Sequence, residues 1–402
     1  MEKGVRQSVM LLIATFSGAV LNFVASVIDT DVLTPAQYGD VRYVLNVIQL
    51  VSWIVLFGVF MSGSRLLALS DDREYSARVR GALLVFLTVS SLLLMSATAF
   101  AGLFHTGALR LLFFCSVPVA IYPLFTGFMN TTAQGDNHIG RLSLARVLPV
   151  VCYIPIALFF YGRHDRVGPQ TVLCLHWGIC TVVLLGVILS ARPSFRNLGP
   201  VYRALGKENA EYGNQLYWGA LVMVATNYLS GITLGLFNPG DNTDVGFYTL
   251  SLSLAQPLAY LPGIVGTAYF RSFAHEKRIP DRVFVNTLAV ALVSCIGFIV
   301  LIRPVVNMYD ESYFPVARYA ALLSAGFCIH GIGDMINRFL GSHGQGLIIR
   351  NSSILCGAVK IAGSFLLVRL WNVNGAIVTM LLSSTAYTVS LLLEYRSYVR
   401  DN

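Results

Sequence analysis

Residues 347–370 read LIIRNSSILCGAVKIAGSFLLVRL, with Lys360 near the middle and Arg350 and Arg369 bracketing 18 residues. Eighteen residues of helix cover most of the thickness of bilayer hydrocarbon, so the Lys360 ammonium belongs close to a membrane midplane. A charge at that depth costs about 2.5–3.5 kcal/mol even on the mild insertion scale, and snorkelling to the interface is hardest from the centre. The chemistry such a group can do is to hold an anion. It brings three donors on a flexible stem to a place where charge is poorly screened. Ser353, Gly357, Lys360 and Ser364 recur at steps of four, three and four, which puts them on one helix face. The structural alternative is that Lys360 pairs with an acid on another helix.

Other polar residues in apolar surroundings extend the set. Arg318 lies a turn inside another apolar segment, and Arg42 and Arg146 lie at segment ends, where anchoring at the interface competes with a place at the mouth of a cavity. Asn22 belongs to a stripe formed by Thr15, Asn22, Ser26 and Asp29. Gln49 and Gln256 belong to polar rows in two further segments. His330 and Asp334, one turn apart, suggest a local pair, with Arg338 a second partner for Asp334. In-span and rim charges are mostly basic, which favours an anionic passenger. The seven cysteines all fall in apolar segments and read as buried hydrophobes, and no metal, nucleotide or dinucleotide motif occurs, so no cofactor is expected.

The elements that must position these groups are membrane helices. Of 402 residues, 55% are apolar and 12% charged, and mean hydropathy is +0.67. This excludes an ordinary soluble enzyme and leaves no length for a sizeable soluble domain. MEKGVRQ precedes the first apolar segment without a cleavage pattern after it, so that segment reads as a retained span. Apolar periodicity places spans near 8–28, 43–64, 81–101, 109–131, 142–161, 171–190, 215–237, 246–268, 283–302, 314–336, 347–368 and 375–393. The fold class expected is an all-α polytopic membrane protein of twelve transmembrane helices in two six-helix bundles. The expected division is 1–190, a cytoplasmic linker 191–214, and 215–402.

Of the 28 Lys and Arg, 20 fall on the side that holds both termini and six on the other. The positive-inside rule then makes the termini and the 191–214 connection cytoplasmic. Asp29, Asp31, Asp40, Asp241 and Asp244 make the opposite loops acidic. The net charge of +8 is therefore a property of the inner surface, and no nucleic-acid partner is expected. The halves also match weakly: at an offset of 207, Arg42, Asn46, Gln49 and Trp53 fall on Thr249, Ser253, Gln256 and Tyr260, and at 206, 127–140 falls on 333–346. An offset of six spans preserves orientation, which implies a pseudo-two-fold axis along the membrane normal.

The segment 33–68, LTPAQYGDVRYVLNVIQLVSWIVLFGVFMSGSRLLA, carries L-[ST]-P-x-x-Y-G and then G-[VLI]-x-x-[SG] before a basic loop. With its counterpart 243–270 it resembles the polysaccharide flippases, the O-antigen or capsular repeat-unit translocases of the multidrug/oligosaccharidyl-lipid/polysaccharide exporter superfamily. The resemblance implies a bacterial inner-membrane transporter, not an enzyme. Its cargo would be an undecaprenyl-diphosphate-linked oligosaccharide, moved from the inner to the outer leaflet by alternating access. It also implies coupling to protons or sodium, contact with membrane lipids and with polysaccharide polymerase machinery, and a cationic central cavity. Lys360, Arg318, Arg42 and Arg146 are candidates for that cavity by burial and charge, since the family has no fixed motif to carry over.

Two departures bear on the alternatives. Related peptidoglycan lipid flippases have fourteen spans, and related drug and sodium exporters carry an acid within the first span, whereas here Asp29 and Asp31 come at its outer end. A multidrug or cation exporter of the same superfamily is the first alternative. A membrane glycosyltransferase, for which DTD (29–31) would supply an acidic pair, is disfavoured by outer loops of about a dozen residues at most. A major-facilitator transporter is disfavoured because 62–80 lacks the glycine-acid-basic signature of that family.

Overall fold

The computed structural model describes the backbone of all residues except 1, 137, 165 and 402. It describes the side chains of these residues apart from 2–9, 12, 225, 267, 268, 270, 271 and 401. Lys3, Arg6 and Arg271 of the charge count lie outside the described side chains. Among the described residues every regular element is helical.

The helices are α1 (Glu2–Asp31), α2 (Pro35–Ile54), α3 (Val59–Ala68), α4 (Arg73–Leu103), α5 (Gly107–Ser116), α6 (Tyr122–Gly135), α7 (Ile139–Tyr161) and α8 (Pro169–Leu189). There follow α9 (Gly199–Glu208), α10 (Asn214–Ala220), α11 (Thr226–Phe237), α12 (Thr243–Ala255), α13 (Pro257–Phe273), α14 (Asp281–Val306), α15 (Pro315–Ser342) and α16 (Gly346–Asp401). Single 3-10 turns join α5 to α6 and lead into α15, and π-helical turns at Asn209–Gly213 and Leu221–Ala225 flank α10.

The expectation of twelve transmembrane helices in two six-helix bundles is not met. Eight helices are long and apolar enough to cross a membrane, or up to ten if each of two bent pairs is one span, among the described residues. The causes are local. The second expected span is broken where Phe57 and Gly58 take φ 47° and 76°, and α2 and α3 meet at 59°. The seventh is interrupted by the π-helical turn at 221–225 and bent by 41°. The eighth is divided at Pro257, which has no N–H to continue the ladder, into helices of 13 and 17 residues, each too short to span. The last two follow each other without a loop and so count as one element, which kinks at Asn372 (φ 47°, ψ −127°) so that its two arms fold back and Ser352 meets Ser390 at 2.9 Å.

The chain forms two compact units. One comprises residues 1–33 and 44–221, the other 34–43 and 222–402. The first ten residues of the 34–54 region thus belong to the second unit, although α2 itself is one helix. In the first unit α1 packs along α7, and α7 along α8, around Ala25, Val150, Tyr153, Ala157 and Cys180. In the second, α15 is the hub, flanked by α12, α13, α14 and α16, and its C-terminal end packs Phe273, Met335, Phe339, Tyr387 and Leu391 together. α14 leaves Val285, Leu292, Val293 and Val300 exposed. In water such a face would aggregate; facing lipid it costs nothing, because the hydrocarbon around it is equally apolar.

Candidate functional site

Each unit buries one polar nest inside its helices. In the second unit, the Lys360 side chain on α16 is 6% exposed, and its ammonium donates to the Asn227 carbonyl oxygen on α11. The close approach that permits this depends on Gly357, one turn earlier. A Cβ there would lie 2.3 Å from the Val222 side chain. Ser364, on the same face, exchanges a hydrogen bond of 2.8 Å with Ser230 of α11. Among the described residues no carboxylate lies within ion-pair distance of Lys360; its bonded partner is a neutral amide.

Close to this cation on α15 stands His330, near enough for its ring and the ammonium to act on each other electrostatically. His330 and Asp334 do not pair in the manner their spacing suggested. Both turn to Tyr387 of α16: the His330 ring stacks on the phenol at 4.7 Å, and the phenol hydroxyl donates to Asp334 Oδ1 at 3.2 Å. Asn337 donates to the same hydroxyl at 2.7 Å. His330 Nδ1 is buried without a hydrogen-bond partner.

The first unit holds a nest that sequence spacing did not reveal. α1 runs on through Asp31, so Asp29, read from the sequence as part of an acidic outer loop, is inside the helix and 4% exposed. Tyr153 of α7 donates its hydroxyl to Asp29 Oδ1, and His176 Nδ1 of α8 lies 3.0 Å from Asp29 Oδ2. The Tyr153 ring stacks on the imidazole at 4.0 Å, and its hydroxyl meets that of Tyr161 at 3.0 Å. A buried carboxylate is tolerated only when its oxygens are bonded, and here both are. The signals in the sequence were the place of Asp29 at the end of the polar stripe Thr15, Asn22, Ser26 and Asp29, and a lone histidine in an apolar segment.

The seven sequence candidates divide between the units. Asn22, Gln49 and Arg146 are in the first; Arg42, Gln256, Arg318 and Lys360 are in the second. Arg146 donates to Thr15 Oγ1 across the α1–α7 contact and to Asn130 Oδ1 at 3.5 Å. Asn22 is exposed and donates back to Gly18 of its own helix at 2.7 Å. Gln49 is half-buried. Gln256, at the α12–α13 break, is exposed with its amide 3.3 Å from the Tyr260 hydroxyl. Arg42 is half-buried with its guanidinium 4.7 Å over the Tyr38 ring, and Arg318 is exposed near the start of α15. In the loop before α12, the Thr243 hydroxyl and amide hold the Asp241 carboxyl below the usual carboxylate range, keeping that loop negative.

Helices of membrane length, broken spans and charged groups buried between them define a polytopic membrane protein. The family model described as polysaccharide biosynthesis protein matches residues 5–272, about two thirds of the chain. The chain belongs to that family.

Solved structures agree on the fold. A multidrug resistance MATE family transporter in an inward-facing conformation is similar with a TM-score of 0.69 at 13% identity, over 98% of each chain. The lipid II flippase MurJ in an inward closed conformation is similar with a TM-score of 0.74 at 11% identity, over 96% of this chain and 87% of that one. A superfamily transporter from Pyrococcus furiosus, described by the reversed polarity of its binding pocket, gives 0.64 at 14% over 98% and 95%. No curated protein matches the chain in sequence. The fold is thus shared with transporters rather than with enzymes.

Proposed function

We propose that the protein is a flippase that carries an anionic, diphosphate-linked lipid oligosaccharide from the inner to the outer leaflet of a bacterial inner membrane by alternating access. In this reading its termini are cytoplasmic, Lys360 binds the passenger, Arg318, Arg42, Arg146, Gln49, Gln256 and Asn22 assist it, and a proton or sodium gradient drives the cycle. The observation that carries the reading is the Lys360 ammonium, buried beside a neutral amide with no carboxylate in ion-pair distance among the described residues. A buried cation without a counter-ion is costly unless an anion visits it. The family's description, polysaccharide biosynthesis, and the flippase activity in the name of one fold relative support a lipid-linked sugar as that anion.

A second reading, export of a small molecule coupled to a cation, rests on a separate observation. Asp29 is buried within the first helix, where the drug and sodium exporters carry an acid, and multidrug transporters recur among the similar folds. On fold likeness this reading is the better supported; family membership and Lys360 favour the first. Delivery of labelled lipid-linked oligosaccharide to the outer leaflet of vesicles separates them. Under the flippase reading Lys360→Ala loses at least tenfold in delivery while folded protein stays near wild type, Lys360→Arg keeps part, and Lys360→Glu is worst. Full delivery by the alanine variant removes Lys360 from the site. Wild-type vesicles that expel a drug but deliver no lipid-linked sugar establish the second reading.

A further inference from the structure

The break in the second span leaves three backbone carbonyls, those of Ile54, Val55 and Phe57, without helical partners, and Ser90 of α4 donates to that of Val55 at 3.2 Å. In a continuous helix the Ile54 carbonyl would accept from the amide of residue 58 and the Phe57 carbonyl from that of residue 61. Here the Met61 amide turns to Gly58 O at 3.1 Å and the Val59 amide to Leu56 O at 3.2 Å, because Phe57 and Gly58 are both left-handed. Orphan carbonyls at membrane depth must find donors. Those of Ile54 and Phe57 find them in α10 and in the turn that precedes it. The Tyr217 hydroxyl donates to Ile54 O at 2.9 Å, and the Asn209 amide donates to Phe57 O at 3.1 Å.

The same stretch grips the start of α3. Ser62 Oγ donates to Asn209 Oδ1 at 3.0 Å, Arg65 pairs with Glu208 at 2.7 Å, and the Arg65 guanidinium lies 4.6 Å over the Tyr212 ring. The approach is possible only for glycine on both sides. A Cβ on Gly58 would lie 2.5 Å from the Gly213 carbonyl oxygen, and one on Gly213 would lie 1.9 Å from Ser62 Oγ. The gripping residues 209–213 are themselves a π-helical turn, a wide turn seldom kept without a use.

We propose that residues 208–217 are a latch on a hinge at 54–58, and that the second span has two states, bent and latched or straighter and released. The Ile54 and Phe57 carbonyls have a donor in either state. Bent, they are satisfied by Tyr217 and Asn209; straightened, they are satisfied by the amides of residues 58 and 61, and both side-chain donors go free. Each state leaves these carbonyls bonded, which is a condition for a bistable element rather than a fixed kink. Straightening also relieves the left-handed φ at Phe57, a non-glycine residue for which that region is strained. The device lies wholly within residues 44–221, and it gives the central connection a mechanical role that a mere tether between halves would not have.

The test is a distance across the hinge. Spin labels at Leu50→Cys and Ala68→Cys are placed in the full chain with its seven native cysteines replaced, reconstituted in nanodiscs, and read by pulsed dipolar spectroscopy. Eighteen residues of straight helix span about 27 Å between backbones, and a 59° bend shortens this. Asn209→Ala with Tyr217→Phe is expected to move the population to the longer distance, and Tyr217→Phe alone, which keeps the ring packed on Phe57 and removes only the hydroxyl, to move it part-way. Arg65→Ala, which touches neither carbonyl, is expected to leave the bent population dominant. A distribution unchanged from the parent in both hydroxyl and amide variants overturns the proposal. So does an equal shift in Arg65→Ala, which would mean that any loosening of the connection straightens the span.

Discussion

The two buried nests contain the same three residue types in different connections. Asp29, Tyr153 and His176 come from α1, α7 and α8, one from each helix, and the carboxylate is bonded on both oxygens. Asp334 and His330 come from the same helix, one turn apart, and only Tyr387 comes from another. Three helices can close a ring around a carboxylate; two residues on one helix point the same way and need a third group between them. Tyr387 occupies that place, so His330 stacks but does not bond the acid, and its Nδ1 is left without a partner. The first nest is closed and holds helices together, while the second has unused capacity beside an uncompensated ammonium.

Breaking the closed nest should produce the largest effect. Asp29→Ala takes the carboxylate partner from the Tyr153 hydroxyl and the His176 ring, and is expected to cost about 3 kcal/mol of stability, the scale for removing one partner of a buried pair. Thermal unfolding in detergent, followed by a thiol dye that reacts as the buried cysteines emerge, would measure it. A variant that melts with wild type would show that the nest is not what holds α1 to α7 and α8.

Tyr387→Phe strikes the open nest at its centre and should do less. It removes the hydroxyl shared by Asp334 and Asn337 but keeps the ring stacked on His330, and about 1–2 kcal/mol is expected on the same assay. A loss equal to that of Asp29→Ala would erase the distinction between the nests.

The smallest effect is the most discriminating. His330→Phe preserves the stack on Tyr387 and discards a ring nitrogen that bonds nothing, so stability should change by no more than about 0.5 kcal/mol. The corresponding His176→Phe should cost about 2 kcal/mol, since it strips Asp29 of a bond. If His330→Phe keeps stability but lowers transport, the open nest serves the passenger; if it destabilises as His176→Phe does, the comparison fails.

Legibility in the sequence followed the range of the interaction. Short-range rules fixed the class: a long apolar segment bounded by arginines can be little other than a membrane helix, and basic loops on one side set an expected orientation. They also singled out Lys360, because the cost of a mid-bilayer ammonium depends on depth alone. The count of spans was misjudged because it turned on single backbone residues. Phe57 and Gly58 break one segment and Pro257 divides another, and hydropathy averages over both.

The sequence by itself determined that this chain lies in a membrane, that it is helical, and that it buries a cation. Tertiary structure alone decided which polar groups meet. Asp29 and His176 are 147 residues apart, and Tyr217 caps a carbonyl 163 residues before it. No periodicity along one helix carries that information, since it lies in how helices pack against one another. Likewise, that Lys360 would rest beside an amide rather than an acid depended on Gly357 letting α11 come close, and a glycine in an apolar run gives no sign of what its missing side chain admits.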